Sequence, residues 1–485
     1  MQLNRKEFLG LVARSAVAVG AGALPRTRLR ADSPGPVMTA LSSYMAAAVD
    51  RTIPSEVVDK TKQHILDTLA AMISGSELAP GRAAIAFARA YGGDTRGTVA
   101  GSVALCGPME AALVNGVLAH SDETDDSHSR SQSHPGSAVV PAALAAAETF
   151  GSDGPQFVRA VALGYDIGPR VTMALGGMAF RTGSHRSTHS IAGTFGAAAA
   201  AGSVARLDAR QMRWLLDYAA QQASGFAAWE RDTDHIEKGF VFAGMPARNG
   251  VTAALVVRAG WTGVDDVFSG EHNFFEATAP KGDPGVLVER LGERYEVTRT
   301  DIKKWTVGSP IQAPLDALDN LLRRRRFEAD QVQRVVVRLA ASAGAVVNNR
   351  EMPDVCLQHM VAVMIVDKTA SFAAAHDKAR MQDPVILKHR AKVEFVPDEE
   401  LQRLMPQRQA IVEVTLTDGT RLAERVEAVR GTEANPMDRR EVVDKCRDLI
   451  APVLGGAKAA RLIETVLALE TARDIRLLRP LLQRA

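Results

Sequence analysis

Between residues 109 and 229 the chain carries five segments with a helical period and almost no polar face: MEAALVNGVLAH, SAVVPAALAAAETF, VRAVALGYDIGPRVTMAL, SIAGTFGAAAAAGSVARL and MRWLLDYAAQQASGFAAW. A helix that is apolar all round has to be surrounded, by protein or by lipid. A spanning helix needs roughly 18 to 20 uninterrupted apolar residues, and each Ala-rich run here is broken by Asp, Glu, Arg or His first. The segments are therefore expected as interior helices of a large bundle, with no membrane insertion. Their many Ala and Gly residues let backbones approach closely, although Gly within a helix costs about 1 kcal/mol against Ala, which packing must offset. With aromatics at only 5% of 485 residues, the core has to be built mostly from Ala, Val, Leu and Ile.

Upstream, Pro54-Ser55 followed by EVVDKTKQHILDTLAAMIS and Gly75 reads as an amphipathic helix. Ser55 is expected at the N-cap, Val58, Ile65, Leu69 and Met72 on one face, and Gly75 as a left-handed stop. After about residue 297 the texture changes. QRVVVRLA, AKVEFVP and AIVEVTL alternate apolar with polar residues, as half-buried strands do, and TDGT at 417–420 marks a hairpin. Helical patterns lie between these strands, and the helical period returns after Met437. The expected fold is mostly α: a large all-helical domain over 36–297, an inserted smaller α+β lid domain over 298–431, and a return to the helical domain over 432–485.

The first 35 residues are set apart. NRKEFLG and the weakly apolar LVARSAVAVGAGAL resemble a twin-arginine export signal in which Lys6 replaces the second arginine. This predicts a periplasmic protein, or a cytoplasmic one if the signal is not used. A formal net charge of +2 gives no footprint for nucleic acid or an anionic membrane. Three cysteines, far apart and without a CxxC pair, are expected as buried thiols.

Chemistry concentrates at three polar breaks in the apolar half: AHSDETDDSHSRSQSHPGS (119–137), RTGSHRSTHSIAGTFG (181–196) and RDTDHIEKGFVFAGMPARNG (231–250). They hold six of the eleven histidines, which suggests one shared pocket carried on helix junctions. No HExxH is present, and only His185 and His189 have i, i+4 spacing, so no metal is expected. Without GxGxxG, GxxxxGK[ST] or GxSxG, nucleotide binding and serine hydrolysis drop out. Acid/base work beside a carboxylate needs a base poised near neutral pH and cations for the substrate. His134 and His189 can carry the proton, Asp122 or Glu123 can orient or accept, and Lys238, Arg248 and Lys304 offer positive charge. Asp126 and His185 stand close enough in sequence to join the substrate contacts.

Six blocks, NGVLAHSDETDDSHSRSQSHPGSAVVPAALAAAE, STHSIAGTFGAAAAAG, KGFVFAGMPARNGV, GWTGVDDVFSGEHNFF, NNREMPDVCLQHM and GTEANPM, together resemble the MmgE/PrpD family, in order from about residue 38 to the end. That family includes 2-methylcitrate dehydratases, cis-aconitate decarboxylases and an iminodisuccinate epimerase. The resemblance implies a homodimer whose active site lies between a helical domain and a lid. It also implies metal-free and cofactor-free chemistry on a small di- or tricarboxylic acid. Residue by residue, the family histidine before Pro matches His134, and its first acidic residue falls at Glu123 when Asp125-Asp126 is aligned. Its second histidine falls at Ser187, flanked here by His185 and His189. Its lysines match Lys238 and, before Trp305, Lys304. Where the decarboxylases carry a tyrosine this chain has Val347. A hydro-lyase of the 2-methylcitrate dehydratase kind is the expected activity. An epimerase, a decarboxylase, a carboxylate-binding protein without turnover and a metal-dependent hydrolase are its rivals.

Overall fold

The computed structural model describes residues 33–484; the export-signal expectation lies outside them. The fold is mostly α, 61% helix against 8% strand. Along the chain run α1 (Ser55–Gly75), α2 (Pro108–Ala119), α3 (Pro135–Phe150), α4 (Gly154–Leu175), α5 (Thr188–Val204), α6 (Ala209–Gln222) and α7 (Met245–Arg258). Then come α8 (Ser309–Arg324), α9 (Leu357–Asp367), α10 (Arg439–Leu454) and α11 (Gly456–Leu467). Every residue of α5 is buried, and it packs against α3, α4, α6 and α7, so the apolar-all-round segments do occupy the interior. The run Ile236–Arg258 is long and apolar enough to cross a membrane by length and composition, but 67% of its 18-residue apolar window is buried within the protein. All three cysteines are free and buried.

Two details of the expected helices differ. Pro54, not Ser55, takes the N-cap position of α1, and Gly75 is no left-handed stop: Ser76 follows it with φ −61°. The glycine is needed for proximity instead, because a Cβ there would land on the Leu118 carbonyl of α2. Gly75→Ala should therefore lose about 2 kcal/mol by overpacking, against the roughly 1 kcal/mol gain expected of Ala in an unobstructed helix; denaturant unfolding reads the sign. The second difference is at α6, which stops at Gln222 rather than running to Trp229, because Ala223 is extended and Gly225 takes φ +110°.

After two short paired strands, β1 (Gly97–Thr98) and β2 (Leu105–Cys106), all remaining strands form one four-stranded sheet among the described residues. Its order is β4 (Val393–Pro397), β3 (Val332–Leu339), β5 (Ala410–Leu416), β6 (Arg421–Val426). β3 pairs parallel with β4 and antiparallel with β5, and the β5–β6 hairpin turns at Gly419, φ +84°. Alternate residues of β5 are buried, as its sequence alternation requires. This sheet, with α8 and α9, surrounds a second hydrophobic core spanning Trp305 to Val429. The first core ends at Ile302 and resumes at Met437. The chain enters the second core just beyond Lys303, and that entry brings a cation to the histidines.

Candidate active site

The three polar breaks meet. His120 caps the end of α2, His134 sits at the N-cap of α3 with Pro135 as the first helical residue, and His189 lies in the first turn of α5. His235, in left-handed backbone (φ +63°), precedes the turn that carries Lys238. That turn runs into a π-helical stretch, Phe240–Gly244, an irregularity common at functional sites. It places the Phe242 ring among the imidazoles: 3.7 Å centroid to centroid from His189, stacked, and 4.7 Å from His120. His134 is 5.0 Å from His120 and 5.1 Å from His189, and His235 is 5.1 Å from His120. All four rings are buried; His134 is the most exposed of them, at 9%.

Carboxylates hold the rings. Asp125 Oδ2 lies 2.9 Å from His120 Nδ1, and its Oδ1 lies 3.2 Å from His134 Nδ1. Glu123 binds Lys238 through Oε1 and Lys303 through Oε2, 3.4 Å away, while the Lys303 ammonium also donates to the Glu123 carbonyl at 2.9 Å. Burial alone would raise both acids. The Lys238 and then Lys303 ammonium groups hold Glu123 well below the usual carboxylate range, and the His120, His134 and Lys303 charges do the same for Asp125. Burial lowers His134, with Asp125 opposing. Burial also carries His189 and His235 well below the ordinary imidazole value. At neutral pH the site thus offers neutral imidazoles at His134, His189 and His235 beside two ammonium groups, the combination that proton transfer next to a carboxylate requires.

A metal fits this arrangement poorly. Ligand atoms of His120, Glu123 and His235, and of His120, Asp125 and His134, lie within 4.8 Å of one another, and these are zinc-type donors. Glu123, however, is already neutralised by two ammonium groups, and Lys303 is 3.6 Å from Asp125. A divalent cation would have to displace them.

Several expected contacts lie elsewhere. Lys304 turns away to Asp319, 2.9 Å, and over the Trp305 ring; its neighbour Lys303 enters the site instead. Arg248 is exposed on α7 and reaches only Asn249. His185 is exposed in left-handed backbone, so of the two flanking histidines His189 joins the cluster. Asp126 is a buried anchor, accepting from Tyr165 (2.5 Å) and the Gly136 amide (3.1 Å) and paired with His64 (2.9 Å). The orienting acid of His134 is Asp125, rather than Glu123 or Asp122.

Asp122 pairs with a group that no sequence motif marks: His376 Nε2, 2.8 Å away, at the end of the short helix Phe372–His376. Burial lowers that imidazole, but the Asp122 carboxylate more than reverses it, to about 9. The raised value means the pair stabilises the fold below the unfolded histidine's pKa near 6.5 and that this contribution disappears as pH rises through about 9. His376→Gln should therefore unfold earlier than wild type at pH 6, by about 2 kcal/mol, with the gap closing by pH 10; a constant gap would assign the pair no such role.

Family models for the MmgE/PrpD N-terminal domain and the MmgE/PrpD C-terminal domain match residues 39–286 and 305–471. The chain is similar to a cis-aconitate decarboxylase-like protein of Aspergillus oryzae, 25% identical over 471 residues that cover 91% of this chain and 96% of that protein. It is also similar to the cis-aconitate decarboxylases of Aspergillus terreus (25% identical; 87% and 91% covered) and Homo sapiens (25% identical; 89% and 91% covered).

Proposed function

The chain belongs to the MmgE/PrpD family, and from that premise we propose that it is a metal-independent hydro-lyase acting on a small hydroxy di- or tricarboxylic acid. The observation that carries this reading is the convergence of His134, His189 and Lys238, from three separate helix junctions, on one buried cluster with Asp125 and Glu123. His134 takes the proton from the carbon next to a substrate carboxylate, or returns one to the leaving hydroxyl. Asp125 fixes the orientation of its ring and favours the charge it acquires. Lys238 and Lys303, which Glu123 holds in place, turn to the carboxylates of the substrate, where negative charge builds as the proton leaves.

A second reading is a carboxy-lyase, supported by relatives named as cis-aconitate decarboxylases. Against it stands buried Val347, at the place where the decarboxylases carry a tyrosine. One experiment separates the readings: a panel of di- and tricarboxylic acids incubated in deuterated water and followed by NMR. Elimination gives a new C=C signal, decarboxylation loses a carbon, and epimerisation exchanges the α-proton alone. Elimination that persists after exhaustive chelation supports the proposal; α-exchange without any C=C signal assigns an epimerase, and activity abolished by chelation assigns a metal enzyme.

A further inference from the structure

We propose that Arg408 binds a second, distal carboxylate of the substrate, in a cavity that adjoins the histidine cluster at Lys303. The inference rests on the carboxylic-acid reading above and narrows it to acids with a carboxylate arm beyond the reacting carbons. A cavity of about 430 Å³ lies between the loop after α2, represented by Ser127, and the segments that border the second core. That size suits a small ligand. Lys303 belongs to both places, lining the cavity while its ammonium contacts Glu123.

The cations of the cavity wall differ in one respect. Arg130 has Glu433 at 3.0 Å, Arg299 has Glu296 at 3.1 Å, and Arg430 has Glu441. Arg408, partly buried, has no hydrogen-bond or ion-pair partner among the described residues. Burial and then the neighbouring Arg181 guanidinium push it down to about 10, with Asp301 and Glu123 opposing, so it remains cationic at neutral pH. A charge largely withdrawn from water without a partner costs stability that a ligand's opposite charge would offset. The planar guanidinium fork matches a carboxylate in a two-point contact, which an ammonium does not.

The test is titration calorimetry of the full chain with propane-1,2,3-tricarboxylate and with methylsuccinate, which is the same skeleton less one terminal carboxylate. Wild type should bind the tricarboxylate about 10- to 100-fold more tightly. Arg408→Gln should erase that preference, lowering tricarboxylate affinity to the methylsuccinate level and leaving methylsuccinate unchanged, and Arg408→Lys should keep part of it. Absence of a wild-type preference, an unchanged Arg408→Gln, or an equal loss for both acids overturns the assignment. The NMR panel judges the enzymatic reading separately. Turnover with an indifferent Arg408 sinks the subsite alone; a discriminating Arg408 without turnover sinks the hydro-lyase and keeps the subsite.

Discussion

His134→Ala lowers turnover of the best acid in the panel by about 100-fold or more, the scale of a lost general acid or base, while the protein stays folded. The fold should survive because, among the described residues, the ring's one ion-pair partner is Asp125 and its aromatic neighbours are His120, His189 and Phe242, all of which keep their other contacts. The pH dependence gives a second readout. Burial lowers the His134 value, so the base is neutral and active above a pKa that lies under 6.5, and kcat/KM falls as pH drops through it. In His134→Ala that acid limb disappears. Full turnover in a folded variant, or an unchanged limb, removes His134 from the chemistry.

Asp125→Asn is expected to do nearly as much damage without removing an imidazole. The carboxylate touches both His120 and His134, and an amide in its place accepts from one side only and carries no charge to stabilise a protonated ring. Loss of the group that orients a catalytic imidazole costs about 100-fold or more in kcat. Asp126→Asn is the informative control: it leaves one acceptor oxygen where two served Tyr165, His64 and the Gly136 amide, and so should lower stability by about 1–3 kcal/mol with turnover per folded molecule nearly kept. If the two variants exchanged these phenotypes, Asp125 would be the anchor and Asp126 the orienting group.

How far the residues alone carried the reading depended on the kind of signal. Helices without a polar face can only be interior, so α3, α4 and α5 were legible, and the alternation in AIVEVTL placed β5. His134 stood out because it directly precedes Pro135 and a buried helix, and Lys238 because it lies in a polar break just ahead of the AGMPARNG block; the structure brings both into one cluster. Lys304 was expected where Lys303 in fact enters the site, because the sequence alone does not say which way neighbouring side chains of an irregular segment point. His120 was ambiguous for another reason: it is fully buried, as a packed core histidine would be, and only its contact with Asp125 marks it. His376 had no local pattern at all, since its partner Asp122 lies about 250 residues earlier in the chain.

Glu123 and Asp125 stand against Lys238 and Lys303, beside His134, His189 and His235, which burial keeps neutral. A trianionic acid entering such surroundings brings more negative charge than Arg408 can answer, and the groups able to offset the rest are the imidazoles whose basicity burial has suppressed. Association should therefore draw protons from solution, so that the heat of binding measured in Tris and in phosphate differs by the ionisation enthalpy of the buffer, and affinity strengthens toward mildly acidic conditions.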